Sequence, residues 1–143
     1  MEKKDKVTDE NKTNFEYELM YSEEISKIDN CPLVNESGRI EVVRLVKNKP
    51  ATEDDLIPHS KLYPKLADNC IAWGLSVYKK PKVLKDINDI MSKRLKGKFT
   101  IASSFVITDE MGVKYQTTDN LSHYTFFPKK ELDLLSTFAT ENI

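Results

Sequence analysis

Residues 98–117 read KFTIASSFVITDEMGVKYQT, and this stretch decides the fold class. Apolar side chains alternate along Lys98–Thr108, which predicts a long strand with one buried face. Residues 109–112 (DEMG) have the chemistry of a tight turn, and Val113–Thr117 is expected to pair back on the first strand. A hairpin of this kind indicates an antiparallel sheet.

Further strands are predicted on both sides of this hairpin. Arg39–Lys47 is rich in β-branched residues, Ile71–Tyr78 is apolar around Gly74, and Ser122–Phe127 extends to Pro128. Phe15–Tyr21 alternates apolar and polar residues, which predicts a half-buried strand near the start of the chain.

One main amphipathic helix is predicted at about 83–96, because Leu84, Ile87, Met91 and Leu95 recur at helical spacing and Gly97 follows them. Thr52–Asp55 has the pattern of a capping box and predicts a short helix. Prolines make residues 56–69 irregular, with helical turns, and Lys130–Phe138 is expected to form a last helix. This order predicts an α+β fold with a mostly antiparallel sheet.

The chain has 143 residues, which suits one domain with a tail. Residues 1–14 hold four acids, four bases and one aliphatic residue, Val7. Such a segment buries too little apolar surface to offset the entropy of ordering, so we expect a disordered charged tail. Residues 15–143 are expected to form a single α+β domain.

The charge balance narrows the classes of partner. Lys and Arg number 22 against 23 Asp and Glu, a net charge of −1, which argues against a nucleic-acid partner. No apolar run approaches the ~20 residues of a transmembrane helix, so no membrane partner is expected. The first residues, MEKKDK, are not followed by the apolar stretch of a secretion signal, and cytoplasmic residence is the default expectation.

The cysteines, histidines and glycines exclude some kinds of site. Cys31 and Cys70 are the only cysteines and are expected to be reduced thiols in a cytoplasm, with one disulfide as the alternative. Neither lies at ligand spacing from His59 or His123, so no metal site is predicted. The four glycines are widely separated, which excludes a glycine-rich phosphate loop.

Two polar residues interrupt apolar strands and are the first candidates for a site. Arg44 lies within Val42–Val46, where a charge must find a partner or face a cavity. Either a structural ion pair or an anion-binding arginine would satisfy it. His123 lies among aromatic residues, and it is either a stacked core histidine or a ligand-facing residue.

Nucleophilic catalysis is a further hypothesis, because Cys70 or Ser76 could use His123 as a base. A buried inert thiol is the alternative for Cys70, which precedes Ile71, Ala72 and Trp73.

Three stretches together resemble a group of small uncharacterised bacterial proteins. The stretches are 43–56 (VRLVKNKPATEDDL), 73–78 (WGLSVY) with 97–102 (GKFTIA), and 116–118 (QTT) leading into 122–128 (SHYTFFP). Proteins of this group carry an arginine strand, a Gly-Leu-Ser-Val-aromatic strand and a late His-Tyr-Thr-aromatic strand. The resemblance covers roughly residues 39–138.

The same pattern is remotely similar to ADP-ribosyltransferase-like folds, in which an early arginine or histidine meets NAD. The resemblance implies that Arg44 binds an anion, that Ser76 and Tyr78 line a pocket, and that His123 and Tyr124 complete it from a late strand. Many such enzymes also need a glutamate that stabilises an oxocarbenium-like transition state. Glu131 is the only acid soon after the His123 strand.

Two hypotheses about function follow. The first is recognition of NAD or a related nucleotide by Arg44, Ser76, Tyr78, His123 and Tyr124 around one pocket, with NAD as the candidate cofactor. The second is a noncatalytic interaction protein of immunity or antitoxin type that binds a protein partner. Aromatic side chains motivate the second hypothesis, since interfaces favour them; they are Tyr115, Tyr124, Phe126 and Phe127.

Overall fold

The computed structural model describes residues 17–91, 95, 97–118 and 120–143. The predicted tail at residues 1–14 lies outside this part of the chain, as do Phe15 and Glu16 of the predicted first strand. The predicted helix at 83–96 also includes residues outside it, namely 92–94 and 96.

A six-stranded sheet organises the described chain and confirms the α+β fold class. Its strands are β1 (Ile40–Val46), β2 (Leu75–Lys79), β3 (Ile101–Ile107), β4 (Gly112–Gln116), β5 (His123–Pro128) and β6 (Ala139–Asn142). They lie in the order β4-β5-β2-β1-β3-β6, and each neighbouring pair is antiparallel.

The predicted hairpin pairing is wrong, although both of its strands and the turn exist. β4 pairs with β5, with Val113 opposite Phe127, and β3 pairs with β1 and β6. The other edge of β4 is covered by the segment before β1, since Glu36 N–H donates to the Lys114 carbonyl at 2.8 Å. β3 and β4 are therefore paired with other segments along both of their edges, so they cannot pair with each other.

The short connection between β3 and β4 forces the sheet to curl. These strands lie four positions apart, which in a flat sheet is about 19 Å at ~4.8 Å per strand. The five steps from Ile107 to Gly112 reach at most about 18 Å. The Met111 N–H shortens that reach further by donating to the Thr108 carbonyl at 3.0 Å. The β4 edge therefore turns back towards β3.

The helices are short. α1 (Ser22–Ile25), α2 (His59–Leu62) and α3 (Ile87–Ile90) are single turns, and 3₁₀ helices cover Glu53–Leu56, Pro64–Leu66, Cys70–Trp73, Leu84–Asp86 and Leu135–Thr137. The main helix is the continuous run from Leu84 to Ile90, inside the predicted 83–96, and the backbone is extended at Met91. The capping box predicted at Thr52–Asp55 is confirmed.

Three predicted elements differ from the structure. The described part of Phe15–Tyr21 holds a single bridge from Leu19 to Lys129, and Tyr21 has a left-handed φ of 62° just before α1. The predicted last helix at Lys130–Phe138 is reduced to the turn at Leu135–Thr137, because the chain then joins β3 as β6. Similarly, Cys70–Trp73 is a 3₁₀ helix, and the strand predicted at Ile71–Tyr78 begins at Leu75.

The two cysteines form a disulfide, so the expectation of reduced thiols is wrong. Cys31 and Cys70 are 39 residues apart in sequence, and their Cα atoms lie 5.6 Å apart. The bond is enclosed by an apolar cluster that includes Trp73, Tyr115 and Phe127. Packing of the segment after α1 against the β4–β5 edge brings the two sulfurs together, which sequence spacing could not reveal.

Apolar clusters on one face of the sheet leave a space between them. Val43, Tyr78 and Ala102 pack with the helix residue Ile87, and Phe127 packs in the disulfide cluster. His123 and Thr125 share the Phe127 face of β5 by strand alternation and lie between these two clusters. The opposite face carries its own core, built from residues that include Val42, Val77, Phe105 and Phe126.

No helix in the described ranges is long and apolar enough to cross a lipid bilayer.

Candidate functional site

A cavity of about 670 Å³ occupies the space between the apolar clusters. β1, β2 and β5 form its floor, and the segments 57–59 and 66–74 contribute walls together with Thr118 and Asn120. Its polar floor residues are Arg44, Ser76, Tyr78, His123 and Thr125. The volume lies within the ~300–1,000 Å³ usual for small-molecule sites.

Gly74 lets two of these strands approach closely at the cavity wall. A Cβ at this position would overlap the Thr125 methyl group and crowd the Phe126 carbonyl, 3.2 Å away. Only glycine allows this contact between the start of β2 and β5. The close approach fixes Ser76, two residues later, against the β5 side chains.

Arg44 binds two backbone carbonyls where the pairing of β1 and β2 ends. The recorded register of these strands is Val42 with Lys79 and Val43 with Tyr78. Beyond it, the guanidinium donates from Nε to the Asp55 carbonyl at 2.7 Å and from Nη1 to the Ser76 carbonyl at 2.9 Å. These bonds give two part-buried carbonyls a charged donor.

The third nitrogen of Arg44, Nη2, makes no hydrogen bond to any described residue. Arg44 is one of the residues that line the cavity. Burial lowers the pKa of Arg44 to about 10, against the opposing effect of Asp55, so the group remains cationic at neutral pH. Arg44 therefore offers a positive donor to the cavity.

Asp55 holds the loop that positions Arg44. Asp55 is 8% exposed, and its carboxylate accepts hydrogen bonds from the backbone of Lys47 at 2.8 Å and Thr52 at 3.0 Å. The Asn48 amide adds a third bond at 3.0 Å. Burial alone would raise the pKa of Asp55, but these hydrogen bonds and the charge of Arg44 outweigh it and lower the pKa.

A chain of hydrogen bonds crosses the cavity floor. Ser76 Oγ lies 2.6 Å from His123 Nε2, and His123 Nδ1 lies 2.9 Å from Thr117 Oγ1. Thr125 donates to Thr117 at 3.0 Å and closes the network. Each nitrogen of the imidazole thus has a hydroxyl partner, which fixes the ring in one orientation.

His123 is held in a half-buried position. The Tyr78 ring meets its imidazole edge-on, with ring centroids 5.2 Å apart. Burial lowers the pKa of His123 below its ordinary value of 6.5, so the imidazole is neutral at pH 7. A neutral, oriented imidazole can accept a proton.

The lining of the cavity favours negative charge in a ligand. Among the described residues, the titratable side chains that line it are Arg44, His59, Tyr78 and His123, and no carboxylate does. Glu131, the acid that follows the His123 strand in sequence, is exposed outside the lining and has a left-handed φ of 69°.

Four of the five predicted site residues therefore line one cavity, and Tyr124 does not. Alternation along β5 directs Tyr124 to the opposite face, where it packs against the cluster containing Phe105 and Phe126. Burial, followed by the nearby Glu36 carboxylate, raises the pKa of Tyr124.

Sequence reasoning missed several residues of this cavity. Thr125 could have been found, because it lies two residues after His123 on the same strand face. Asn120 lines the cavity and Thr117 contacts His123 from beside it; both lie before β5, where no strand periodicity indicates where their side chains point. Among the described residues, no group of three or more His, Cys, Asp or Glu is arranged to hold a metal ion.

The structure also bears on the hypotheses of a cysteine nucleophile and of an exposed aromatic patch. Cys70 is disulfide-bonded and has no thiol, so it cannot serve as the nucleophile considered beside Ser76. Tyr115, Phe126 and Phe127 are buried, at 4%, 0% and 1% exposure, and do not form an exposed aromatic patch.

Comparison of the chain with protein families, with curated proteins and with solved structures finds no match.

Proposed function

We propose that this protein binds an anionic small molecule of the nucleotide class, with NAD as the candidate ligand. The observation that carries the proposal is the convergence of Arg44, Ser76, Tyr78 and His123 on one cavity of about 670 Å³. These residues come from three different strands, and a polar group from each meets the same space.

The charge of the lining supports an anion. Arg44 is the permanent cation of the described lining, its Nη2 has no partner there, and its planar guanidinium suits phosphate or carboxylate oxygens. The absence of carboxylates among the described lining residues means that nothing there repels a negative ligand.

The remaining walls suit an aromatic ring. Leu45, Ile57, Ala72 and Phe99 contribute apolar surface. A nucleotide combines a flat ring with a charged group, and small-molecule sites usually combine apolar walls with a few convergent polar groups.

Binding without ADP-ribosyl transfer is the form of the proposal that the described residues support best. An oxocarbenium-like transition state needs a nearby carboxylate, and neither Glu131 nor another acid is among the described lining residues. The likeness to ADP-ribosyltransferase-like folds thus contributes a ligand class to the proposal, and no transfer step.

A ligand titration tests this function. NAD, AMP and nicotinamide mononucleotide would be added at millimolar concentration, and the unfolding temperature and heat of binding measured. A ligand at a hundredfold excess over its dissociation constant stabilises the folded state by about 2.7 kcal/mol, so the unfolding temperature should rise. Unchanged temperature and no heat for all three would contradict the proposal.

A blocking variant shows where the ligand binds. Thr118 is an exposed residue of the cavity wall, so Thr118→Trp should obstruct the cavity and abolish the temperature rise without disturbing the core. Ser136→Trp places the same side chain at an exposed site outside the lining and should leave the rise unchanged. An equal loss in both variants would locate the ligand elsewhere.

Interaction with a protein partner, of immunity or antitoxin type, remains the second hypothesis. Three of the four aromatic residues that motivated it are buried, so it now lacks that support. Capture experiments that compare the wild type with Tyr124→Ala, the half-buried member of the set, would test it.

Cytoplasmic residence remains a prediction, and the disulfide weighs against it. Disulfides persist in oxidising compartments and are rare in a reducing cytoplasm. Alkylation of thiols in freshly lysed cells would decide: two modified cysteines indicate the cytoplasm, and none indicates an oxidising compartment.

A further inference from the structure

Ser76 and His123 have the spacing of a nucleophile and its base. Their side chains are 47 residues apart in sequence, yet Ser76 Oγ and His123 Nε2 share a hydrogen bond of 2.6 Å. Both residues line the cavity and are only half-buried. A serine in hydrogen-bond contact with an oriented imidazole is the arrangement that activates a hydroxyl for attack.

Thr117 supplies the group that orients the base. It already accepts a hydrogen bond from Thr125 and lies 2.9 Å from His123 Nδ1. When Nδ1 carries the ring proton and donates a hydrogen bond to Thr117 Oγ1, Nε2 presents its lone pair to the Ser76 hydroxyl. A base whose second nitrogen is held by a third group meets the geometric requirement of serine-based catalysis.

We propose that Ser76 is a nucleophile, activated by His123, for an ester or thioester that carries a negative charge. The inference goes beyond nucleotide binding, because it assigns a chemical step to the cavity and does not require a nucleotide. Thr117 is a positioning residue that acts through His123.

The step balances without any redox partner. Ser76 Oγ forms a bond to the acyl carbon and the ester C–O bond or thioester C–S bond breaks, while the serine proton passes through His123 to the departing alcohol or thiol. Water then attacks the acyl carbon and the bond from that carbon to Ser76 Oγ breaks, while His123 takes one proton from the water and returns it to Ser76 Oγ. The products are the carboxylic acid and the alcohol or thiol.

Arg44 accounts for the preference for a charged substrate. Its Nη1 donates a hydrogen bond of 2.9 Å to the backbone carbonyl of Ser76, the same residue that carries the nucleophilic hydroxyl. Its Nη2 has no partner among the described residues. A carboxylate or phosphate on the substrate would accept hydrogen bonds from Nη2.

A fluorophosphonate probe tests the nucleophile directly. Attack by Ser76 forms an O–P bond and expels fluoride, while His123 takes the serine proton. After reduction and trypsin digestion, the adduct should lie on residues 66–79, whose only serine is Ser76. Ser122→Ala is the matched control, since Ser122 adjoins His123 but does not line the cavity.

Rates distinguish a catalytic pair from a merely reactive surface. Ser76→Ala should abolish labelling, and His123→Gln should slow it about 100-fold, while Ser122→Ala keeps the wild-type rate. The wild-type rate should rise with pH and reach half its maximum below pH 6.5, because burial lowers the pKa of His123. Arg44, His59 and Tyr78 are the other titratable groups of the described lining.

Each outcome decides the proposal. Labelling of the wild type at Ser76 with a rate that depends on His123 supports it, and faster turnover of mono-p-nitrophenyl glutarate than of p-nitrophenyl acetate supports the charged substrate. A folded wild type that is unlabelled, or labelled elsewhere, overturns it, and this result needs no variant to fold. The nucleotide titration is separate, so either proposal can fail alone.

Discussion

Ser76 on β2 and His123 on β5 are joined by a 2.6 Å hydrogen bond between Oγ and Nε2. They are diagonal neighbours, because the strand register places Ser76 opposite Thr125 and Tyr78 opposite His123. Diagonal side chains on one face lie within reach of each other in an antiparallel pair. The pairing of two strands therefore creates the central contact of the cavity.

The imidazole of His123 should titrate below its ordinary pKa of 6.5, because burial disfavours its charged form. A lower pKa in the folded state than in the unfolded state means that protonation favours unfolding. This contribution to stability is present above pH 6.5 and is lost as the pH falls through the folded pKa. NMR of the ring protons measures the value, and His59→Gln assigns the signals, since the chain has two histidines. A His123 pKa above 6.5 would contradict the described burial.

Replacement of Arg44 by Met should lower the free energy of unfolding by about 3 kcal/mol, because two part-buried carbonyls lose a charged donor. Arg39→Met is the matched control. Arg39 is 63% exposed and lies 3.5 Å from Glu41, so its loss should cost less than about 1 kcal/mol. Urea unfolding measures the free energy of unfolding of both variants. Equal losses in Arg44→Met and Arg39→Met would show that the carbonyl contacts of Arg44 do not stabilise the fold.

Replacement of Asp55 by Asn should destabilise the protein by about 2 kcal/mol at neutral pH, because an amide cannot accept all three hydrogen bonds of the carboxylate. The pKa of Asp55 is lowered in the folded protein, so its stabilising effect is complete above the unfolded pKa of about 4 and is lost as the pH falls through the folded value. Asp54→Asn, at an exposed neighbouring position, is the control. Unfolding curves are measured between pH 2 and 7. The loss of stability towards low pH should be weaker than in the wild type for Asp55→Asn and the same as in the wild type for Asp54→Asn.

Removal of the disulfide by Cys31→Ala with Cys70→Ala should lower the free energy of unfolding by about 4 kcal/mol, which follows from the entropy of closing a loop of this length. Reduction of the wild type should produce a similar loss. Chemical unfolding with and without a reducing agent measures the effect, and a change under about 1 kcal/mol would contradict the cross-link.

The residues that sequence reasoning identified were those whose surroundings are local. Arg44 and His123 stood out because they interrupt apolar strands, and Thr52–Asp55 because a capping box needs only four residues. Strand pairing depends on competition between distant edges, so the hairpin prediction failed when β5 and the segment around Glu36 occupied β4.

The hydrogen bonds within the site could not be predicted from the sequence, because they also depend on how distant segments pair. The Ser76–His123 bond needs the β2–β5 register, and Thr117 needs the direction of a loop. The prediction for Tyr124 failed for a different reason. Tyr124 adjoins His123 in sequence, but side chains alternate along β5, so the two side chains lie on opposite faces of the sheet.

The most direct test of the account is a ¹H–¹⁵N NMR titration of the protein with NAD. We predict that the Arg44 Nε–H signal and the backbone amides of Ser76 and His123 shift with one saturation curve, while those of β6 at Thr140 and Glu141 do not move. Shifts confined to residues outside the cavity, or no shift at millimolar NAD, would contradict the assignment of this cavity as a nucleotide site.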